Sequence, residues 1–127
     1  MIKLLAVDDE KGVKDSLKDF FEERGFYIRT AKGGEEALEI IKKDKPSIVF
    51  LDIKMRGMDG LTTLEHIKKI DKNIKVIMIT VIDNQDIIDK AMKLGADEYI
   101  TKPFRIAYLE EVVIKKIQGL TDGTKKD

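Results

Sequence analysis

Short apolar runs alternate along this chain with stretches whose apolar residues recur every three or four positions. The runs cover residues 2–7, 27–31, 48–51, 76–79 and 98–101. The first, third and fourth are almost wholly apolar, as parallel strands covered on both faces must be. The second and fifth carry Arg29, Thr30 and Glu98, which suits strands at the sheet edges. Between the first two runs, Val13, Leu17, Phe20 and Phe21 follow a helical spacing, and Gly25 stands where a left-handed cap would end that helix. Ala37, Leu38 and Ile41 repeat the pattern before Pro46. Leu61, Leu64 and Ile67 form a third stripe. Ile87, Ile88, Ala91 and Met92 form a fourth, stopped by Gly95, and Leu109, Val112, Val113 and Ile117 form the last.

Five strand–helix repeats predict an α/β fold with a five-stranded parallel sheet. Right-handed crossovers with helices on both faces make it an open, doubly wound sheet. A closed eight-stranded barrel would need roughly twice this length. The 127 residues fit one compact domain. It is expected over residues 1–118, with 119–127 read as a polar tail that frays.

Composition narrows the function classes. Lys plus Arg equals Asp plus Glu at 24 each, so no basic excess points to nucleic acid or an anionic membrane as partner. There is no cysteine, which excludes thiol catalysis, disulfides and thiolate metal sites. No apolar run approaches the roughly 18–20 residues that span a bilayer. The apolar start meets Asp8-Asp9-Glu10 too soon for a signal peptide. A cytoplasmic protein is expected.

In an open α/β sheet, ligands bind beyond the carboxyl ends of the strands. Asp8, Asp9 and Glu10 follow the first strand, Asp52 the third, Thr80 the fourth, and Lys102-Pro103 the fifth. A lone Asp after a strand is as readily a helix cap, and Asp52 would suit a turn through Gly57-Met58-Asp59-Gly60. Caps, however, need no lysine and no second acid opposite them. Crowded carboxylates repel one another and call for a cation. Mg²⁺ takes oxygen ligands and binds substrate phosphate. Aspartate also serves as a covalent phosphoryl acceptor. Mg²⁺, the Lys102 ammonium and the Thr80 hydroxyl would then neutralise the phosphoryl oxygens on Asp52.

These residues resemble the receiver domains of two-component response regulators. The resemblance is carried by Asp8-Asp9, Leu51-Asp52, Thr80 and Lys102-Pro103. It extends to the segments Met55-Arg56-Gly57-Met58-Asp59-Gly60-Leu61 and Gly95-Ala96-Asp97-Glu98-Tyr99. It implies the strand order 2-1-3-4-5. It implies phosphorylation of Asp52 by a histidine kinase or a His phosphotransfer protein. Mg²⁺, or Mn²⁺ in its place, would be bound by Asp9, Asp52 and the Lys54 backbone carbonyl, with Asp8 acting through a water. Thr80 and Lys102 would contact the phosphoryl group, Tyr99 would be the switch aromatic, and the Lys102–Pro103 bond would be cis. The surface of the fourth helix, fifth strand and fifth helix would change on phosphorylation, as a monomer or by dimerising. It would engage an output partner or effector domain.

The chain departs from the family pattern in places. Arg56 stands where the family often has Pro, and Val81 where it prefers a small residue. A bulky Val81 would narrow phosphate access, and Lys54, Val81 and Ile82 together stand where the family tunes phosphoryl lifetime. Ile82 offers no polar group to orient a water, so slow self-dephosphorylation is expected. His66, the only histidine, reads as an ordinary solvent-facing helix residue. Two enzyme or cofactor readings fail. A haloacid-dehalogenase-type phosphatase wants Asp-x-Asp after the first strand, and a flavodoxin-like binder wants a Ser/Thr/Gly-rich loop there. The alternative of a receiver-like module that binds partners without phosphorylation stays open.

Overall fold

The computed structural model describes residues 2–122. Five strands, β1 (Lys3–Val7), β2 (Tyr27–Ala31), β3 (Ile48–Leu51), β4 (Lys75–Thr80) and β5 (Glu98–Thr101), alternate with five helices. The helices are α1 (Lys11–Glu23), α2 (Gly34–Lys43), α3 (Gly60–Ile70), α4 (Gln85–Lys93) and α5 (Ile106–Asp122). The strands form one parallel sheet in the order β2-β1-β3-β4-β5, the expected order.

Side chains alternate across a strand, so each central strand feeds two cores. Leu5, Val7, Val49, Leu51, Val76 and Met78 point to one face, where α2, α3 and α4 contribute Ile41, Leu64, Ile67 and Ala91. Leu4, Ala6, Ile48, Phe50, Ile77 and Ile79 point to the other. There α1 contributes Leu17 and Phe21, and α5 contributes Leu109, Val112 and Val113. Burying each large aliphatic or aromatic side chain contributes roughly 1.5–3 kcal/mol. That is why β1, β3 and β4 tolerate almost no polar residue. The edge strands do: Tyr27 and Arg29 of β2 are exposed.

The helices start and stop as local chemistry dictates. Gly25 and Gly95 take positive φ of 85° and 108° just past α1 and α4. Asp59 caps α3 by accepting the Thr62 N–H at 2.9 Å, and Asn84 caps α4 through the Ile87 N–H. Three elements differ in extent from the sequence reading, and β1 begins at Lys3, one residue inside its apolar run. β4 is longer than its apolar run, because pairing recruits Lys75 opposite Ile48 and Thr80 opposite Thr101. Residues 119–122, expected in the tail, continue α5. An established helix adds residues cheaply, and Gly119 alone does not stop it. Residues 123–127 of the expected tail lie outside the described residues.

Candidate functional site

Strand order reverses direction between β1 and β3. β1 leads into α1 on one face and β3 into α3 on the other, which leaves a crevice at their carboxyl ends. The sheet hydrogen bonding runs one residue further at both strands. The Asp8 N–H donates to the Ala31 carbonyl and the Asp52 N–H to the Val7 carbonyl, each at 3.1 Å. Both acids are thereby fixed at the crevice floor, 3% and 5% exposed.

Lys102 reaches them from beyond β5. Its backbone N–H donates to the Thr80 carbonyl at 2.8 Å. Its ammonium lies 2.8 Å from Asp8 Oδ2, 3.1 Å from Asp52 Oδ2 and 3.5 Å from Glu10 Oε1. The Lys102–Pro103 peptide bond is cis. Burial opposes the Lys102 charge, yet the hydrogen bonds to Asp8 and Asp52 outweigh it and raise the pKa above the ordinary lysine value. Burial raises the Asp8 carboxyl, and the Lys102 and Glu10 N–H groups only partly pull it back.

None of these acids is a helix cap. Glu10 occupies the position before α1 without a side-chain capping bond. Asp52 Oδ1 accepts the Lys54 N–H at 3.3 Å, and the capping of α3 falls to Asp59. Gly60 lets α3 start directly over Asp52: its N–H donates to the Ile53 carbonyl at 2.8 Å, and a Cβ there would overlap the Asp52 carbonyl oxygen.

Carboxylate oxygens of Asp8, Glu10 and Asp52 lie within 4.8 Å of one another. Three acids against one ammonium leave an excess of negative charge, so the donor set fits a hard divalent cation. Glu10 was not among the residues expected to act here. The signal was available in the Asp8-Asp9-Glu10 run. An Asp side chain readily accepts the amide two residues on, and the Glu10 N–H donates to Asp8 Oδ1 at 2.9 Å, folding Glu10 back over it. Asp9 lies outside this trio. It is exposed and lines a cleft with Glu10, Lys32, Gly33, Glu36 and Arg56.

Thr80 is fully buried at the end of β4, and its hydroxyl accepts the Ile82 N–H at 3.3 Å. The half-buried Tyr99 donates its phenol to the Ile82 carbonyl at 2.7 Å and packs on the α4 side of the sheet. One residue of the β4–α4 loop therefore joins Thr80 to Tyr99. Val81, which follows Thr80, is 57% exposed. Lys54, Arg56 and His66 are exposed.

The profile of the family described as the response regulator receiver domain matches residues 4–114. The chain belongs to that family. This receiver domain is 39% identical over 113 residues to sporulation initiation phosphotransferase F of Bacillus subtilis, covering 89% of this chain and 91% of that one. It superposes with a TM-score of 0.92 on a two-component response regulator from Clostridium difficile, at 29% identity and covering 94% and 98% of the two chains. The response regulator TrrA of Thermotoga maritima, solved in complex with Mg(2+)-BeF, is 37% identical with a TM-score of 0.82, covering 91% of this chain and 99% of that one. Other relatives are longer. The chain spans 54% of the response regulator MprA of Mycobacterium leprae, at 30% identity. Receiver domains are regulatory phosphorylation switches of two-component systems rather than conventional enzymes. They use Mg²⁺ at an acidic pocket and interact with histidine kinases or phosphotransfer proteins and with output domains. Among the described residues, no helix is long and apolar enough to cross a membrane.

Proposed function

We propose that this receiver domain accepts a phosphoryl group on Asp52 from a histidine kinase or a His phosphotransfer protein. The observation that supports this best is the state of Asp52 itself. It is a buried carboxylate, excluded from capping, whose free edge faces a charged Lys102 among further acids. Transfer forms a bond from an Asp52 oxygen to phosphorus as the donor's P–N bond breaks and its imidazole leaves with the electron pair.

Mg²⁺ (or Mn²⁺) would be held by Asp9, Asp52 and the Lys54 carbonyl, with Asp8 acting through a water. When bound, it supplies charge neutralisation for the phosphoryl oxygens. Asp9 turns inward for this from its exposed position. Glu10, already over Asp8, adds to the negative field that draws the cation in. Lys102 follows the charge from the Asp52 carboxylate to a phosphoryl oxygen. The Thr80 hydroxyl gives up the Ile82 N–H and donates to another. With Ile82 released on one side, its carbonyl loosens from the Tyr99 phenol, and the ring rotates inward.

The readout is the surface of α4, β5 and α5, as a monomer or through phosphorylation-dependent dimerisation. An output partner or effector domain would read that surface in the cytoplasm. This is a two-state equilibrium biased by local charge. Shifting it from 1:99 to 99:1 needs roughly 5.5 kcal/mol of differential stabilisation.

Incubation with Mg²⁺ and a small phosphodonor, followed by intact mass, should show one added phosphoryl group, lost in Asp52→Asn. No Asp52-dependent gain would leave only the reading of a partner-binding module that works without phosphorylation. Ile82 is apolar and offers nothing to orient an attacking water, while the exposed Lys54 screens the phosphoryl oxygens. The phosphoryl group should therefore persist for minutes or longer after donor removal. Decay within seconds would contradict this.

A further inference from the structure

A second polar cluster lies at the opposite end of the sheet from Asp52, centred on Asp97. Asp97 Oδ2 accepts the Lys68 ammonium and the Val76 backbone N–H, both at 2.9 Å. The Asp97 N–H donates to the Val76 carbonyl at 2.8 Å, so the two residues are tied in both directions. The Lys68 side chain, 14% exposed, also donates to the carbonyls of Ile74 at 2.7 Å and Lys72 at 3.3 Å. From α5, Lys116 donates to the Asp97 carbonyl at 3.2 Å and pairs with Glu98 at 3.3 Å. Helix α3, the turn after it, β4, β5 and α5 thus meet at one residue. Gly95 makes room for this, since a Cβ there would press on Lys68 Cγ at 3.2 Å.

Such a hub matters because of where β5 lies. It is an edge strand of four residues, paired among the described residues with β4 alone. Its register rests on four ladder pairs and on Ile100, its one buried side chain, and a slip by one residue would send each side chain to the other face. Such a slip would move Tyr99 from the α4 side to the α1/α5 side. At its carboxyl end β5 runs into Lys102, whose N–H is bonded to the Thr80 carbonyl and which, in the proposed function, follows the charge onto the phosphoryl group. A pull there can slide the strand, or it can leave the strand in place and turn a side chain.

We propose that Asp97, with Lys68 and Lys116, is a positioning residue for the switch. It pins the amino end of β5 so that events at Thr80 and Lys102 reach Tyr99 as a ring movement instead of a strand slide. The inference rests on the reading of Thr80 and Tyr99 as the switch pair.

Fluorotyrosine incorporation labels the three tyrosines, and Tyr99→Phe assigns the Tyr99 line. Mg²⁺ with beryllofluoride serves as the phosphoryl mimic. In the parent, the Tyr99 line should move on addition of the mimic. In Asp97→Asn and Lys68→Met, the resting line should broaden or split, and the induced shift should fall at least twofold. Lys68→Arg, which keeps the ion pair, should restore it. Lys116→Met alters one tie on the helix side and leaves Asp97 intact, so it carries the test should either other variant not fold. A Tyr99 response equal to the parent's in the folded variants, with only melting temperature lowered, would make the hub merely structural and overturn the inference. A parent whose Tyr99 line ignores the mimic would overturn the switch reading itself, and the inference with it.

Discussion

At Asp8 the largest influence on the carboxyl is burial, which raises its pKa, and the Lys102 ammonium 2.8 Å away compensates only in part. A folded pKa above the unfolded one means that the folded chain holds the proton more tightly. Stability then falls as pH rises through the folded value, and the penalty is absent below the unfolded one. Asp8→Asn should therefore raise the melting temperature of the fold at neutral pH. The gain should fade in acid, where Asp8 is itself protonated. Calorimetry across pH checks this, and a lower melting temperature at neutral pH would show that the Lys102 pair outweighs burial. The same variant should weaken Mg²⁺ binding, read by titration of the metal alone. Gly60 makes a contrasting case. A methyl group there meets the Asp52 carbonyl and cannot be relieved by a side-chain rotation. Gly60→Ala should destabilise by about 1–3 kcal/mol and slow Asp52 phosphorylation more than its stability loss explains, by displacing the acceptor's backbone. A phosphorylation rate matching the parent would refute that link.

The elements are set by signals of different strength. The start of α3 rests on one side chain, Asp59, whose Oδ1 accepts the Thr62 N–H. Asp59→Ala should cost about 1 kcal/mol, measured by urea denaturation, while leaving the mass gain on Asp52 intact. Loss of phosphorylation along with the cap would mean that Asp59 does more than begin a helix. The strands and helix stripes were legible because burial on both sheet faces forces apolar runs in β1, β3 and β4. The ends of β4 and α5 were not. Lys75 and Thr80 join β4 through partners far away in sequence, and α5 continues past Gln118 across Gly119, with Leu120 the one apolar residue to signal it. Site legibility divides in the same way. Asp8, Asp52 and Lys102 follow strands and Thr80 ends one, so topology alone brings them together. Glu10 joins them through a local turn, and Asp9, expected beside them, faces outward in this state.

For the molecule as a whole, two cores share one sheet. Phe21, fully buried, meets Phe20 and Phe26 edge to face and Phe50 at a tilt, and ties α1 to the centre of the sheet. Phe21→Ala should cost about 3–5 kcal/mol, a large part of the 5–15 kcal/mol typical of a domain. Thermal unfolding should show a single transition at much lower temperature. Two separate transitions would indicate that the faces fold independently. The sheet also sets how the two polar clusters relate. The acid–Lys102 crevice and the Asp97 hub close opposite ends of the same strands, and β5 spans them with Tyr99 in between.

The order of elements, the parallel sheet and the set of residues beyond its carboxyl edge are written in the chain. Hydrophobic period and chain order are local properties that survive without a structure. Only the tertiary structure decides which carboxylate faces which ammonium. It separates Asp52 from the capping role that Asp59 takes, folds Glu10 inward while Asp9 stays out, and gathers Lys68, Val76, Asp97 and Lys116 at one point. Each of those outcomes depends on distances between segments remote in sequence, and such distances exist only once the sheet has assembled.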